Sequence, residues 1–535
     1  MSSTGLKSVV LRGYHRLTGQ AAPKRERVVI LGSGWAGYAF ARTLDPNKYE
    51  RIVVSPRSYF VFTPLLASTS VGTLEFRATL ESIRRLGDVQ FHQGWADEVN
   101  FQRKVIRVEE SYVDDLSKAT LPPPPSSSSP TAPNAISTGA GGGDVQAPKK
   151  GPVTEVGYDK LVIAVGAYSQ TFGIEGVRQH AHFLRDVGDA KRVRLRVLSL
   201  FEQCMSSSMS DQDRRKLLHF VVVGGGPTGI EFAAELHDLI DEDLRKMYPS
   251  LLPYVQITIY DVAPKILPMF DQALASYAMG MIRKHKININ TSHSIQRIRP
   301  DPEGSGALNL RIKEYGDEEV GAGIVVWSTG LMQNPFIEKM VCKGIRGAVP
   351  GQDPSAEFKL QKDRRTGGVI VDGQLRARVV DAADAAAAAA AAAAPTPAAG
   401  NAGTGAVVPA PPKPETHVLE DVYVIGDCAV VDGQRNLPKT AQVASQQAFY
   451  LASALNKGES PDAAKPFVFR NLGAMTYLGN WRALWQKDKT DLTGRAAWIL
   501  WRTAYLTRSM SWKNRVLIPF YWLVSWIFGR DISRF

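Results

Sequence analysis

Residues Val28 to Phe40 read VVILGSGWAGYAF, and the fold of the whole chain turns on them. Val28, Val29 and Ile30 are β-branched and Leu31 is apolar, so the stretch opens as a short buried strand. Gly32, Gly34 and Gly37 then spell G-x-G-x-x-G, and Tyr38-Ala39-Phe40-Ala41 begins a helix. The three glycines act differently. Gly32 permits the tight turn, Gly34 lets a pyrophosphate approach the backbone, and Gly37 lets helix and strand pack closely. Unpaired N–H groups and the dipole at the helix start favour the phosphate charge. One such motif alone is weak support, because glycine turns also arise by chance.

A second copy changes the weighing. His219 to Leu236 reads HFVVVGGGPTGIEFAAEL, with Gly224, Gly226 and Gly229 between an apolar strand and a helix. Two strand–glycine–helix units imply two dinucleotides in one chain, most simply a flavin and a nicotinamide. The strand Val255 to Tyr260 ends in Asp261, whose carboxylate can accept ribose hydroxyls and repels a 2′-phosphate, so NADH is favoured over NADPH. In the first unit the equivalent strand, Arg51 to Val54, ends Ser55-Pro56-Arg57. A serine hydroxyl makes a weaker version of the ribose bond, and the missing carboxylate departs from the fingerprint.

The chain has 535 residues, 44% of them hydrophobic, which is enough to bury two or three cores. Its net charge of +12 is unevenly placed: residues 481 to 535 hold ten Lys/Arg against three Asp/Glu, and seven of the ten tryptophans. That asymmetry points to an anionic surface, membrane or nucleic acid. Cys204, Cys342 and Cys428 have neither metal-like nor C-x-x-C spacing, so no metal site and no redox dithiol is expected. No D-x-[DN]-x-[DN]-G loop marks a calcium site. Residues 1 to 26 carry Lys7, Arg12, Arg16, Lys24 and Arg25 and resemble a mitochondrial presequence; a solvated basic tail is the alternative. No apolar run reaches the roughly 18 residues of a membrane span.

Further along, Gln90-Phe91-His92 and Lys104 to Val108 read as strands, Phe62 to Glu75 is ambiguous, and Tyr158 to Ala167 resumes a buried strand. Residues 121 to 152 and 381 to 415 are low in complexity and read as disordered insertions, the second containing ten consecutive alanines at 385 to 394. Residues 191 to 218 read as helical. Val325 to Gly330 and Val422 to Asp427 are strands ending in turns, the latter in Gly426-Asp427, where a carboxylate can hold the hydroxyls of a flavin's ribityl chain.

The order G-x-G-x-x-G, VIAVGA, GGGPTGIE, VWSTG, VIGDCA and AQVASQQ resembles the type II, or alternative, NADH:ubiquinone dehydrogenases in their fungal mitochondrial form. The resemblance covers about Arg27 to Phe535 without the insertions, and AQVASQQ with the aromatic-basic C-terminus is its specific part. It implies an α/β fold of two Rossmann-like dinucleotide-binding domains, an FAD domain with an inserted NADH domain, and a C-terminal amphipathic helical segment that anchors to membrane. The implied boundaries are 27–190 and 346–470 for the FAD domain, 191–345 for the NADH domain and 471–535 for the anchor.

The implied activity is rotenone-insensitive, non-proton-pumping oxidation of NADH by ubiquinone through FAD, in a homodimer held peripherally on the mitochondrial inner membrane. Carried over by position, Gly32, Gly34, Gly37, Ser55, Gly166, Gly426 and Asp427 bind FAD. Gly224, Gly226, Gly229, Asp261 and Gly330 bind NADH, with Glu231 near the nicotinamide. Gln442 and Gln446 form the quinone site. As residues alone, these two glutamines stand four apart on one helix face, and without the resemblance an ordinary polar surface is the favoured reading. Glu231 is likewise open to a simpler reading, a carboxylate near a positive helix start. Lys439, in LPKTAQ, stands where the family usually has a second proline, which puts the contact with the flavin pyrimidine in question.

At the C-terminus, Val516 to Phe528 is a 13-residue apolar run flanked by Lys513, Arg515, Arg530 and Arg534. Trp498, Trp501 and Tyr505 precede it at helical spacing. Aromatic rings at headgroup level with basic side chains on anionic lipid describe a helix lying in the membrane plane; a core helix or a dimer contact is the alternative. No nucleic acid partner is expected. Two other functions share the two-dinucleotide plan: a sulfide:quinone oxidoreductase, which needs a cysteine pair at the flavin, and an apoptosis-inducing-factor-like flavoprotein that oxidises NADH slowly and acts by binding.

Overall fold

The computed structural model of the chain describes residues 25–111, 151–393, 415–459, 463–509 and 511–533. Residues 1–24 of the presequence and nearly all of the first insertion lie outside them, as do residues 394–414 of the second.

The first unit is built as the opening motif requires. β1 (Glu26–Leu31) runs into the helix α1 (Trp35–Thr43), and β2 (Tyr49–Ser55) returns parallel to β1 with Leu31 opposite Val54. β3 (Val89–Asn100) pairs parallel with β2, and β4 (Lys160–Ile163) lies parallel on the other side of β1. Val28 to Leu31 are wholly buried because helices or loops cover both faces of a parallel sheet, which is why these strands are continuous apolar runs.

The chain then leaves this unit through a short strand, Ala167–Ser169, and returns through Leu331–Gln333, which pairs antiparallel with it. Between these crossings lies the second unit. It contains α2 (Val187–Cys204), β5 (His219–Val223), α3 (Pro227–Leu239), β6 (Gln256–Asp261) and β7 (Ile324–Trp327), the strands forming part of a five-stranded parallel sheet. A three-stranded antiparallel sheet, residues 295–300, 308–312 and 319–322, packs against it. Val177 and Phe183 already belong to second-unit cores, whereas α4 (Pro335–Cys342) buries Ile337, Met340 and Val341 in the first.

The polyalanine stretch also departs from the expected tether, since Ala382–Ala393 is a helix. Alanine loses the least free energy on entering a helix, and Asp384 in the first turn suits the positive helix end. β8 (Thr416–Val424) rejoins the first sheet parallel to β4, and α5 (Ala441–Lys457) packs across α1.

The C-terminal segment is a three-stranded antiparallel sheet, residues 474–479, 482–487 and 490–493, followed by α6 (Gly494–Arg508) and α7 (Trp512–Phe528). It joins both cores: Leu478 and Leu484 pack into the second unit, and Trp501, Ile518 and Tyr521 into the first. Among the described residues no helix is long and apolar enough to cross a membrane.

Candidate active site

The two glycine loops repeat one geometry. Gly32 and Gly224 have φ of +110° and +114°. A Cβ on Gly37 would meet the Gly32 carbonyl oxygen at 2.0 Å, and one on Gly229 would meet that of Gly224 at 2.1 Å. These are the close helix–strand contacts that only glycine permits. At Gly34 and Gly226, by contrast, a Cβ would meet no atom within 4 Å, and each is the N-cap of its helix with no side chain capping it. Both helices therefore present first-turn N–H groups to an open space, which is what a bound pyrophosphate needs.

In the first unit that space is a long cleft. Gly32, Gly34, Ser55, Gly166, Gly426 and Asp427 all line it, with Trp35, Arg57, Arg185, Asn334, Ala441 and Ala444. Six of the seven residues assigned to the flavin thus come together; Gly37 lies behind the loop. Ser55 Oγ is 2.9 Å from Ser33 Oγ and accepts the Arg57 N–H, so the residue that replaces the usual carboxylate ties the glycine loop to the end of β2. The Arg57 guanidinium is held by Asp186 at 2.6 Å, across the boundary between the units.

The residues fit FAD. Arg185 lines the cleft with Nη1 buried and unpaired, and the Asp427 carboxylate makes no hydrogen bond among the described residues. A buried polar group without a partner costs about 1–3 kcal/mol, and the phosphates or hydroxyls of a dinucleotide would supply a partner to Arg185 Nη1. Burial raises the Asp427 pKa, and Arg185 and Lys439 oppose that shift.

In the second unit Asp261 closes the loop itself. Its carboxylate accepts the N–H groups of Gly225 and Ala263, the latter at 2.7 Å. Gly330 has φ +68°, and a Cβ there would press on Phe172 at 2.7 Å; Trp327 Nε1 donates to the Gln170 carbonyl beside it. Only three residues separate Gly330 from Asn334, which lines the flavin cleft and donates to the Val165 carbonyl. The turn after β7 and the flavin cleft are thereby joined by one short strand.

The other assigned residues lie elsewhere. Glu231, on the second turn of α3, is buried beneath the C-terminal segment, where Oε1 accepts the Tyr477 N–H at 3.1 Å and the Trp501 Nε1–H at 3.3 Å. Burial pushes its pKa up to about 8 against those two hydrogen bonds. Gln442 and Gln446 do share one face of α5, which Thr440 caps as the spacing suggests. Neither lines the flavin cleft. Gln446 exchanges two hydrogen bonds with the backbone of Arg470, and Gln442 accepts from Leu472 and donates to Gly473. Both amides grip the segment that leads into the C-terminal sheet.

The neighbouring Gln447, the last residue of AQVASQQ but given no role in the sequence, is 1% exposed and accepts the Gly426 N–H at 2.7 Å, holding the turn that presents Asp427. Arg185 carries no signal in the sequence, because its place depends on chain crossings, whereas Trp35 follows Gly34 directly in the first glycine loop. A second cleft of about 590 Å³ lies under α6 and α7, lined by Glu235, Tyr477, Trp501, Arg502 and Trp522.

Comparison with known proteins shows the family of the chain. The family model for pyridine nucleotide-disulphide oxidoreductases matches residues 26–352, and that for the NDH2 C-terminal domain matches residues 471–531. A probable NADH dehydrogenase of Dictyostelium discoideum is 32% identical over 554 aligned residues, which span 99% of this chain and 100% of the relative. A mitochondrial internal alternative NAD(P)H-ubiquinone oxidoreductase A1 of Solanum tuberosum is 32% identical across 96% of this chain and 88% of its own. Among solved structures, NDH2 of Plasmodium falciparum in complex with NADH superimposes with a TM-score of 0.71 at 22% identity, over 95% of this chain and 100% of that one.

Proposed function

The chain belongs to the pyridine nucleotide-disulphide oxidoreductase family, in its alternative NADH dehydrogenase branch, and from that premise we propose how its residues oxidise NADH with ubiquinone as acceptor. It is an FAD-dependent NADH:quinone oxidoreductase of the mitochondrion. Bound in the cleft, FAD would supply the redox chemistry between the nicotinamide and a quinone. The protein's part is to bind, orient and exclude water.

The Gly32–Gly37 loop and the α1 N-terminus hold the FAD pyrophosphate, and Gly166, Gly426 and Asp427 line the ribityl and flavin end. The Gly224–Gly229 loop holds the NADH pyrophosphate at the start of α3. Asp261, at the end of β6, takes the adenosine ribose and disfavours a 2′-phosphate. Gly330, on the strand leading to Asn334, keeps the nicotinamide pocket clear of a side chain.

Glu231 sits where α3 meets Trp501 and Tyr477, between the nucleotide loop and the segment that faces lipid. Its carboxyl, held near neutrality by burial, can carry a proton at Oε2, since Oε1 accepts two N–H groups. Gln442 and Gln446 position the 470–473 backbone and so frame the quinone's approach. The observation that carries this reading is the C-terminal segment docked on Glu231 while packing into both nucleotide-binding units.

The membrane surface is a further part of the proposal. On α7, Asn514, Ile518 and Tyr521 are buried, whereas Trp512, Val516, Phe520, Leu523 and Ile527 form an exposed stripe at helical spacing, with Phe528 81% exposed at its end. A 17-residue helix is too short to span a bilayer with ease but suits its interface. The homodimer would use the remaining exposed side of the same helix pair.

The test is spectroscopic. Purified protein should show a flavin spectrum that bleaches with NADH and recovers with a short-chain ubiquinone, and a colourless protein ends the idea. Flotation with anionic liposomes should be lost on joint replacement of Trp512, Trp526 and Phe528 by Ser; retained flotation removes the membrane face.

A further inference from the structure

Lys439 occupies a position whose chemistry the reading above leaves unused. It precedes Thr440, the N-cap of α5, and its ammonium donates to the main-chain carbonyl of Asp427. The side chain is half-buried in a small cavity on the far side of the Gly426–Asp427 turn from the flavin cleft, and that turn lines both. Charged and titratable groups facing it are Asp427, Cys428, Asp363 and Arg365. Asp363 is hydrogen-bonded to Thr366, and Cys428 is a buried thiol.

The orientation of FAD follows from the loop. Pyrophosphate belongs at Gly32–Gly37, and adenosine at the end of β2, at Ser55. The isoalloxazine must then lie towards the opposite end of the cleft, with Gly166, Asp427, Ala441 and Ala444. Three sources of positive potential meet there: the N-terminus of α5, the Arg185 guanidinium and the Lys439 ammonium. Asp427 faces both cations, while Asp363 and Arg365 also face Lys439, and Asp189 and Arg57 also face Arg185.

We propose that Lys439 tunes the flavin, its ammonium beside Asp427 favouring the negative charge that two-electron reduction places on the pyrimidine ring and so raising the reduction potential. Charge near the ring nitrogens is one of the few levers a protein has on flavin electronics. Lys439 acts through the electrostatics of the Asp427 turn and is therefore a positioning residue. The proposal rests on the cleft being the FAD site, and its test separates the two.

Sulfite supplies a probe that needs no turnover. Its lone pair forms a bond to flavin N5, and the displaced electron pair remains on the pyrimidine as one negative charge, so adduct affinity reports stabilisation of that charge. In FAD-loaded Lys439→Met, the sulfite Kd should rise at least about tenfold and the two-electron midpoint potential fall by at least about 30 mV, the equivalent of a tenfold change. Lys439→Arg, which keeps the charge, should stay within about threefold of wild type. Lys439→Gln provides a second neutral variant.

Normal FAD content with unchanged sulfite affinity and potential in both neutral variants overturns the tuning role. Loss of FAD from both neutral variants, with retention by Lys439→Arg, overturns it too, because Lys439 would then serve binding. Wild-type protein that takes up no FAD refutes the cleft assignment instead.

Discussion

Replacing Glu231 by Gln offers the sharpest check on how the C-terminal segment meets the nucleotide-binding units. The glutamine carbonyl can still accept from Tyr477 N and Trp501 Nε1, so shape and hydrogen bonds are kept and only the ionisable group is removed. In the folded protein the carboxyl pKa rises from 4.5 to about 8, chiefly because burial penalises the charge, with Glu235 adding repulsion. A group that holds its proton more tightly when folded stabilises the fold fully below its unfolded pKa, and that stabilisation fades as pH rises to the folded value.

At about 1.4 kcal/mol for each tenfold difference in proton affinity, wild type should lose about 4 kcal/mol relative to Glu231→Gln between about pH 5 and pH 8.5. For a chain of this size the unfolding entropy makes that roughly 4 °C in Tm. The assay is thermal unfolding of both proteins followed by circular dichroism across that range. The difference in Tm should grow in favour of the variant up to about pH 8 and then level off. Parallel pH profiles would refute the reasoning, since they require a carboxyl with the same proton affinity folded and unfolded.

The glycine loops and the α5 clamp carry further expectations. Gly37→Ala places a methyl 2.0 Å from a carbonyl oxygen that cannot retreat, and thermal unfolding of the apoprotein should show a loss beyond the roughly 1–3 kcal/mol typical of overpacking. Gly34→Ala has room in the protein and should leave the apoprotein Tm unchanged while weakening FAD binding, as measured by flavin release. Asp261→Gln forfeits the short reach to Gly225 and should raise the KM for NADH about tenfold, equivalent to about 1.4 kcal/mol, with kcat within about twofold. Joint replacement of Gln442 and Gln446 by Ala removes four hydrogen bonds to the 470–473 backbone, and stopped-flow traces should show reoxidation by quinone slowed about tenfold with reduction by NADH unchanged. Equal slowing of both half-reactions would move these residues away from the acceptor side.

What the residues determine by themselves is local. A run of β-branched residues closed by G-x-G-x-x-G has one low-energy answer, strand, turn and helix, so both dinucleotide loops, the buried strands and the Thr440 cap are legible in order along the chain. The apolar stripe of α7 is likewise legible, since Trp512, Val516, Phe520, Leu523 and Ile527 recur at steps of three and four.

The tertiary structure decided everything that depends on chain crossings. Ser55 faces Ser33 because two parallel strands set the register; Arg185 and Asp427 share a cleft though far apart along the chain. Glu231 meets Trp501 and Tyr477, and the two glutamines of α5 turn to the 470–473 backbone. Such contacts arise where one unit is inserted into another and the C-terminus folds back over both, and no periodicity along the chain encodes which side chains then meet.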